Sequence, residues 1–312
     1  MISEKDVYEA SERIFPFVKS TPILQSEKLN SLFEADVYFK CENFQHIGAF
    51  KARGAHNAVF AMSDEEASKG VVTHSSGNHA AALSLAAKNR GISARIVMPN
   101  NSNKMKISQV EELGGLIEYC EPTTKAREEA AAKVQKETGA KIVHPYNDPL
   151  VIAGQATVAL ELLNEVSDLD AIVAPVGGGG LMAGTALITK ATKPNVYTCG
   201  VEPEEVNDAA RSLASGELVG NTTLNSIADG LRGNLGPNPF EILQKNLDKL
   251  IEVSEKDIVA SMRLIWSELK IVIEPSSAVA IASLLSHRQE IKGETIGVIV
   301  TGGNVDLDDL PW

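Results

Sequence analysis

The chain has 312 residues, long enough for one large or two modest domains, each with a proper core. Its 29 Lys and Arg against 41 Asp and Glu give a formal charge of −12, which argues against a nucleic-acid partner, because phosphate binding rests on neutralisation by cations. Cys41, Cys120 and Cys199 lie far apart without any C-x-x-C spacing, so neither a disulfide framework nor a zinc site is implied and a reducing cytosol fits.

The opening, MISEKDVYEA, carries no apolar secretory segment, and no run is long and apolar enough to span a bilayer, so a cytoplasmic protein without a membrane partner is expected. Further on, "HIGAFKARGAHNA" sets Lys51 directly after Phe50, where a polar loop gives way to a helix, among Gly48, Ala49, Ala52 and Gly54. For any single lysine the ordinary reading is a surface position. At a helix N-terminus, however, the ammonium form is disfavoured, which lowers the pKa and prepares the amine to act as nucleophile and base.

From there, β-branched runs alternate with helical patterns. "VVTHSS" precedes a helix over Asn78 to Asn89, "ARIVMP" precedes "NKMKISQVEELGG", and "LIEYCEP" precedes "TKAREEAAAKVQKETGA". Later "AIVAPVGGGG" leads into "LMAGTALITKA", and "TIGVIVTGGN" comes near the end. Such alternation predicts βαβ units, a parallel sheet covered on both faces and an α/β fold. The βα units between about Val71 and Val143 predict a small domain, residues 70–146, inserted into a large one made of residues 1–69 and 147–312. A cleft between the two would hold a ligand. Near the C-terminus, Ile258, Met262, Ile265 and Leu269 share a helical face, with Ser254 and Asp257 as a capping box.

Two of the strand-to-helix junctions read as anion seats. Gly177, Gly178, Gly179 and Gly180 follow a strand ending at Val176 and precede a helix starting near Leu181, so backbone N–H groups can converge on a phosphate at the helix's positive end. A P-loop is excluded because no G-K-[ST] follows. A dinucleotide fingerprint stays open, since Gly178, Gly180 and Ala183 fit G-x-G-x-x-G/A and Glu202 ends a later strand. At the other junction, Ser75, Ser76, Gly77 and Asn78 offer hydroxyls, an amide and free N–H groups: either an N-cap cluster or a carboxylate seat. His79 alone would carry little. Two anion seats and a lysine match pyridoxal phosphate, the carboxylate of an amino-acid substrate, and an amine able to form the Schiff base between cofactor and protein.

In order and approximate spacing, "GAFKARGA", "SSGNHAAAL", "VGGGGLMAG" and "VTGGNVD" resemble the fold-type II pyridoxal-phosphate enzymes, in the branch of serine racemases and serine/threonine dehydratases, over essentially the whole chain. The resemblance implies a two-lobed open parallel-sheet fold of the tryptophan synthase β-like kind, a small amino-acid substrate and a homodimer. It implies β-elimination on β-hydroxy amino acids such as L-serine, L-threonine or 3-hydroxyaspartate, giving keto acid and ammonia, with companion serine racemisation. A chiefly racemising enzyme is the alternative within the branch; an NAD-dependent oxidoreductase is the alternative from another class.

Residue by residue, the resemblance makes Lys51 the Schiff-base lysine and Phe50 a neighbour of the cofactor ring. Asn78 would meet the ring hydroxyl, Gly177 to Gly180 with Leu181 the phosphate, and Thr301 the pyridine nitrogen. Ser75, Ser76, Asn78 and His79 would hold the substrate carboxylate, with Arg127 reaching toward the substrate and Ser76 serving as a second proton donor opposite Lys51. Glu202, Asp208 and the carbonyl of Val206 would bind Mg²⁺ or another divalent cation. Tyr146 and Gly233 replace an asparagine and a serine of the branch, and Arg127 and Arg232 leave room for an acidic substrate.

Overall fold

The computed structural model describes residues 2–312. Among them, β1 (Ile23–Leu24), β2 (Asp36–Cys41), β7 (Ala171–Pro175), β8 (Tyr197–Pro203), β9 (Lys249–Val253) and β10 (Thr295–Val300) form a sheet of order β1-β2-β10-β7-β8-β9. The other sheet, of order β5-β4-β3-β6, takes β3 (Val71–His74), β4 (Ala94–Pro99), β5 (Leu116–Cys120) and β6 (Lys141–Ile142) from one continuous stretch. Every pairing is parallel except β1 with β2, an antiparallel edge. The class is therefore α/β, as expected. Ile296, Val298, Ile299 and Val300 of β10 are all buried, the unbroken apolar pattern of a strand covered on both faces.

The helices that follow the strands lie close to the expected spans: Asn78–Arg90, Lys104–Glu112, Thr124–Thr138 and Gly180–Thr192. Ser254 caps the helix Glu255–Glu268 through the N–H of Asp257, and Ile258, Met262 and Ile265 are buried. Three helices form one packed layer under the candidate site: Lys51–Phe60, Pro149–Glu165 and Gly180–Thr192. Glycines let the first two approach closely. A Cβ on Gly154 would lie 2.6 Å from the Gly54 Cα, so even alanine there would force the helices apart.

The sheet order explains why distant motifs meet. Neighbouring strands β2, β10, β7 and β8 lead at their carboxyl ends toward Lys51, Thr301, the glycine run and Glu202 respectively, and β3 of the other sheet leads to Ser75. Ligands of open parallel sheets bind outside those ends. Lys106, on the helix beside β5, pairs with Asp229 and thereby joins the layer of the smaller sheet to that of the larger.

Candidate active site

Lys51 opens its helix as expected, and the loop before it is laced to the exit of β10. Phe50 N–H donates to Thr301 O (3.0 Å), Gly303 N–H to Gly48 O (3.0 Å), and Asn304 Nδ2 to Ile47 O (2.7 Å). Ile47 has φ 60° and Gly48 φ 71°, a left-handed pair whose strain at Ile47 those bonds help to hold. The Lys51 amine lies 5.1 Å from the Phe50 ring centroid and donates to the Pro145 carbonyl at 2.8 Å. Although the residue keeps some accessible surface, its amine end is enclosed, and that burial lowers the pKa to about 8 against the opposing pull of Glu274. Desolvation dominates here, where the sequence pointed to the helix end. At pH 7 about one amine in ten is then neutral, against about one in three thousand for a free lysine.

Two residues beyond, Arg53 is fully buried and forked onto two carboxylates: Nε and Nη2 reach Glu42 at 2.8 Å each, while Nη1 and Nη2 reach Glu161 at 2.6 and 2.9 Å. Buried Lys40 extends the set to Glu161 (2.9 Å) and Glu165 (2.8 Å). Such a network adds little net stability but leaves a costly bare charge if one partner is removed. It fixes the start of the lysine helix against β2 and the helix Pro149–Glu165.

Asn78 is held from both sides. Its Nδ2 donates to both Glu274 oxygens (3.0 and 3.2 Å), and its Oδ1 accepts from Asn304 Nδ2 (2.8 Å). Burial, reinforced by Asp229, pushes Glu274 up to about 7. Thr301 and Ser277 place their hydroxyl oxygens 2.8 Å apart, and Ser277 Oγ also accepts from Gly302 N (2.7 Å) and donates to Gly302 O (2.7 Å). Ser277 has one proton to give. The Gly302 carbonyl, which only accepts, takes it, so Thr301 donates to Ser277 and leaves its oxygen lone pair to face a ring nitrogen.

Gly179, with φ 87°, starts the helix Gly180–Thr192, and the N–H groups of Gly177, Gly178, Gly179 and Gly180 meet no acceptor among the described residues. A Cβ on Gly178 would sit 2.3 Å from Cγ of Tyr146, whose ring lies against the loop. Free donors at a helix N-terminus, in a cradle that any side chain would fill, fit the phosphate of pyridoxal phosphate. Leu181 is buried behind them.

At the serine junction Ser75 Oγ accepts from Gly77 N–H at 3.4 Å, while the N–H groups of Ser76, Asn78 and His79 meet no acceptor among the described residues. The His79 ring turns inward. Its Nε2 faces the Val143 carbonyl at 3.1 Å, and burial, with Lys51 nearby, holds its pKa well below the imidazole range. A carbonyl only accepts, so the proton sits on Nε2 and Nδ1 keeps a lone pair, leaving the His79 backbone N–H as the group that can meet a carboxylate. Arg127 presents a buried Nε without a partner among the described residues.

Glu202 and Asp208 are both buried at the end of β8. Glu202 accepts from Ala210 N (2.6 Å) and Ala209 N (3.3 Å); Asp208 accepts from Leu235 N (2.6 Å) and Asn221 Nδ2 (2.7 Å). Burial raises both pKa values, Glu202 to about 8, and the charge of Asp208 adds to the rise at Glu202. Val206 O receives no hydrogen bond among the described residues, and no cluster of three or more His, Cys, Asp and Glu forms there. A hard cation there would need both carboxylates ionised and water as its remaining ligands. The same inward turn removes Glu202 from the ribose-binding role of a dinucleotide site.

Glu274, Ser277 and Pro145 went unread in the sequence, and Asn304 was read only as part of "VTGGNVD"; Glu-Pro-Ser-Ser ahead of an apolar helix was the available signal for the first two.

A lysine of lowered pKa, a glycine turn with free N–H groups and a serine junction lie at the carboxyl ends of parallel strands, the parts that chemistry on amino acids through pyridoxal phosphate would need. The chain belongs to the family of pyridoxal-phosphate dependent enzymes, whose pattern matches residues 14–302. It is 49% identical over 308 residues to the beta-hydroxyaspartate dehydratase of Paracoccus denitrificans, covering 99% of this chain and 98% of that one. It is 45% identical to the serine racemase of Arabidopsis thaliana, covering 97% and 93%. The crystal structure of serine racemase from Dictyostelium discoideum superposes with a TM-score of 0.94 at 42% identity, covering 98% of this chain and 99% of that one.

Proposed function

We propose that this chain is a pyridoxal-phosphate-dependent lyase for small β-hydroxy amino acids, 3-hydroxyaspartate and L-serine among them, with racemisation at Cα as a companion activity. The enclosed Lys51 amine is the observation that carries the reading. The relatives named as a beta-hydroxyaspartate dehydratase and a serine racemase support the substrate class. When bound, the cofactor supplies an electron-withdrawing ring that acidifies Cα–H. Lys51 takes that proton and returns it to the β-hydroxyl, which departs as water; hydrolysis then gives keto acid and ammonia. The glycine N–H groups would hold the phosphate, Asn78 would border the ring on its Glu274 and Asn304 supports, and Thr301 would meet the ring nitrogen. Ser75, Ser76 and the N–H groups of Asn78 and His79 hold the α-carboxylate. Arg127 offers its unpartnered nitrogen to the second carboxylate of 3-hydroxyaspartate.

Ser76 is the second proton donor in this reading. The test is one reaction of the holoenzyme with L-serine, in which pyruvate and D-serine are both assayed. Replacing Ser76 by alanine should lower D-serine formation at least about a hundredfold, the usual cost of a positioned acid or base, while pyruvate falls far less. Undiminished D-serine with the fold intact would remove Ser76 from the reaction. A racemase foremost, the second reading, gains support from the relatives named serine racemase and would show D-serine outpacing pyruvate in wild type.

Glu202, Asp208 and the Val206 carbonyl are proposed to hold Mg²⁺. At a hundredfold excess over its Kd, the cation should stabilise the chain by about 2.7 kcal/mol, read as a higher melting temperature. E202Q should lose that increment; a melting temperature indifferent to Mg²⁺ and to chelator would count against the site. The proposal also takes residues 1–69 and 147–312 as the cofactor-binding lobe and 70–146 as the small lobe, in a cytoplasmic, two-fold homodimer.

A further inference from the structure

Between the end of β6 at Ile142 and the start of the helix at Pro149, residues 143–148 form neither strand nor helix, yet this turn supplies the carbonyl on which the Lys51 amine rests. Its outer side is tied down by Asn238, whose N–H donates to Asn147 Oδ1 (2.9 Å) and whose Nδ2 donates to Asn147 O (2.7 Å). The inner side is held by one ring. His144 Nδ1 accepts the N–H of Asn147 at 3.1 Å and, more weakly, that of Tyr146 at 3.4 Å, so the imidazole closes the turn much as an Asx side chain would. Edge contacts fix the plane of that ring: its centroid lies 5.2 Å from that of His74 and 4.6 Å from that of Tyr146, with interplanar angles of 81° and 85°.

We propose that His144 is a positioning residue for Lys51, fixing through its Nδ1 the Pro145 carbonyl that aims the amine. The inference rests on Lys51 being the reacting amine. An acceptor role at Nδ1 puts the single proton on Nε2 and requires a neutral ring. Burial, with His74 and Lys51 nearby, holds His144 down to about 4, so the ring stays an acceptor throughout the neutral range. The Pro145 carbonyl, in turn, can only accept. It favours one orientation of the amine and stabilises the ammonium somewhat more than the neutral form.

The test follows Lys51 itself. The full chain, freed of cofactor, is acylated with an amine-reactive reagent from about pH 6 to about pH 10, and modification at Lys51 is read by peptide mass spectrometry. Wild type, H144F and H144N are compared. Phenylalanine keeps the ring packing and removes the acceptor, while asparagine restores an acceptor of the Asx-turn kind. Glu274, His79 and His74, the other groups that face Lys51 or its neighbours, are unchanged, and a neutral His144 carries no charge to lose. In H144F the labelling midpoint should fall by roughly half to one unit, because a hydrogen bond to the charged form is lost, and H144N should return it. In the holoenzyme, kcat should drop about tenfold in H144F with KM little changed, and H144N should recover it.

If H144F does not fold, H144A gives the same reading with less bulk. An unshifted midpoint in a folded H144F or H144A would overturn the inference. Failure of the underlying reading is distinct: K51A would then keep its turnover, whatever His144 does.

Discussion

Replacing Lys51 by alanine should lower turnover of every hydroxy amino acid about 10⁴-fold, the upper end of what a positioned proton-transfer group contributes. It should also abolish the visible absorption that wild type acquires with pyridoxal phosphate, since no second amine can take its place. Among the described residues, Lys51 is the lysine that burial lowers to about 8; Lys40, the other deeply buried one, is committed to Glu161, Glu165 and the Thr21 carbonyl. The checks are an absorption spectrum and a keto-acid assay on the same sample. A K51A chain that stays coloured and turns over normally would end the lyase reading.

The other large effect should come from the glycine cradle. In G178A the new methyl would lie 2.3 to 2.5 Å from three atoms of the Tyr146 ring, closer than carbon atoms can approach. Either the ring swings away or the loop backs off. Overpacking of this kind costs about 1–3 kcal/mol, which at about 1.4 kcal/mol per decade is roughly tenfold to hundredfold in cofactor affinity. Titration of the cofactor-free chain with pyridoxal phosphate measures it. Adding Y146A should recover part of the loss, because the obstacle is gone; an unrecovered double variant would place the damage in the loop's own backbone.

Sequence reasoning reached the parts of this protein that are local. The runs at β3, β4, β5, β7 and β10 announce themselves by composition, and each of the first four is followed by a helix whose caps lie within a few residues. Lys51 and the four glycines stood out for the same reason: a strand, a turn and a helix start are contiguous in the chain. The helix Pro149–Glu165 was not read, because it is buried nearly all round and so lacks the polar face that gives a helix its period. The two-residue β1 is too short to carry a pattern. The supports of the site were invisible for another reason. Glu274 meets Asn78 across 196 positions and Asn304 meets it across 226, and nothing near either residue marks such a partner. Arg53 was visible inside "GAFKARGA", but a buried arginine looks like any other arginine until Glu42 and Glu161 are seen to close on it.

That arginine sets an asymmetry in how firmly the walls of the pocket are held. One wall carries Lys51 and is riveted by charges that cannot be separated cheaply, since stripping a partner from such a buried pair costs about 3–5 kcal/mol. One link to the opposite wall, beside the bonds of Asn78 to Glu274 and Asn304, is Lys106 with Asp229, a pair 28% and 42% exposed, where an ion pair is worth at most about 1 kcal/mol. Dissolved salt screens the exposed latch and barely reaches the buried rivet, so raising the ionic strength weakens that one link while the network beneath Lys51 keeps its strength.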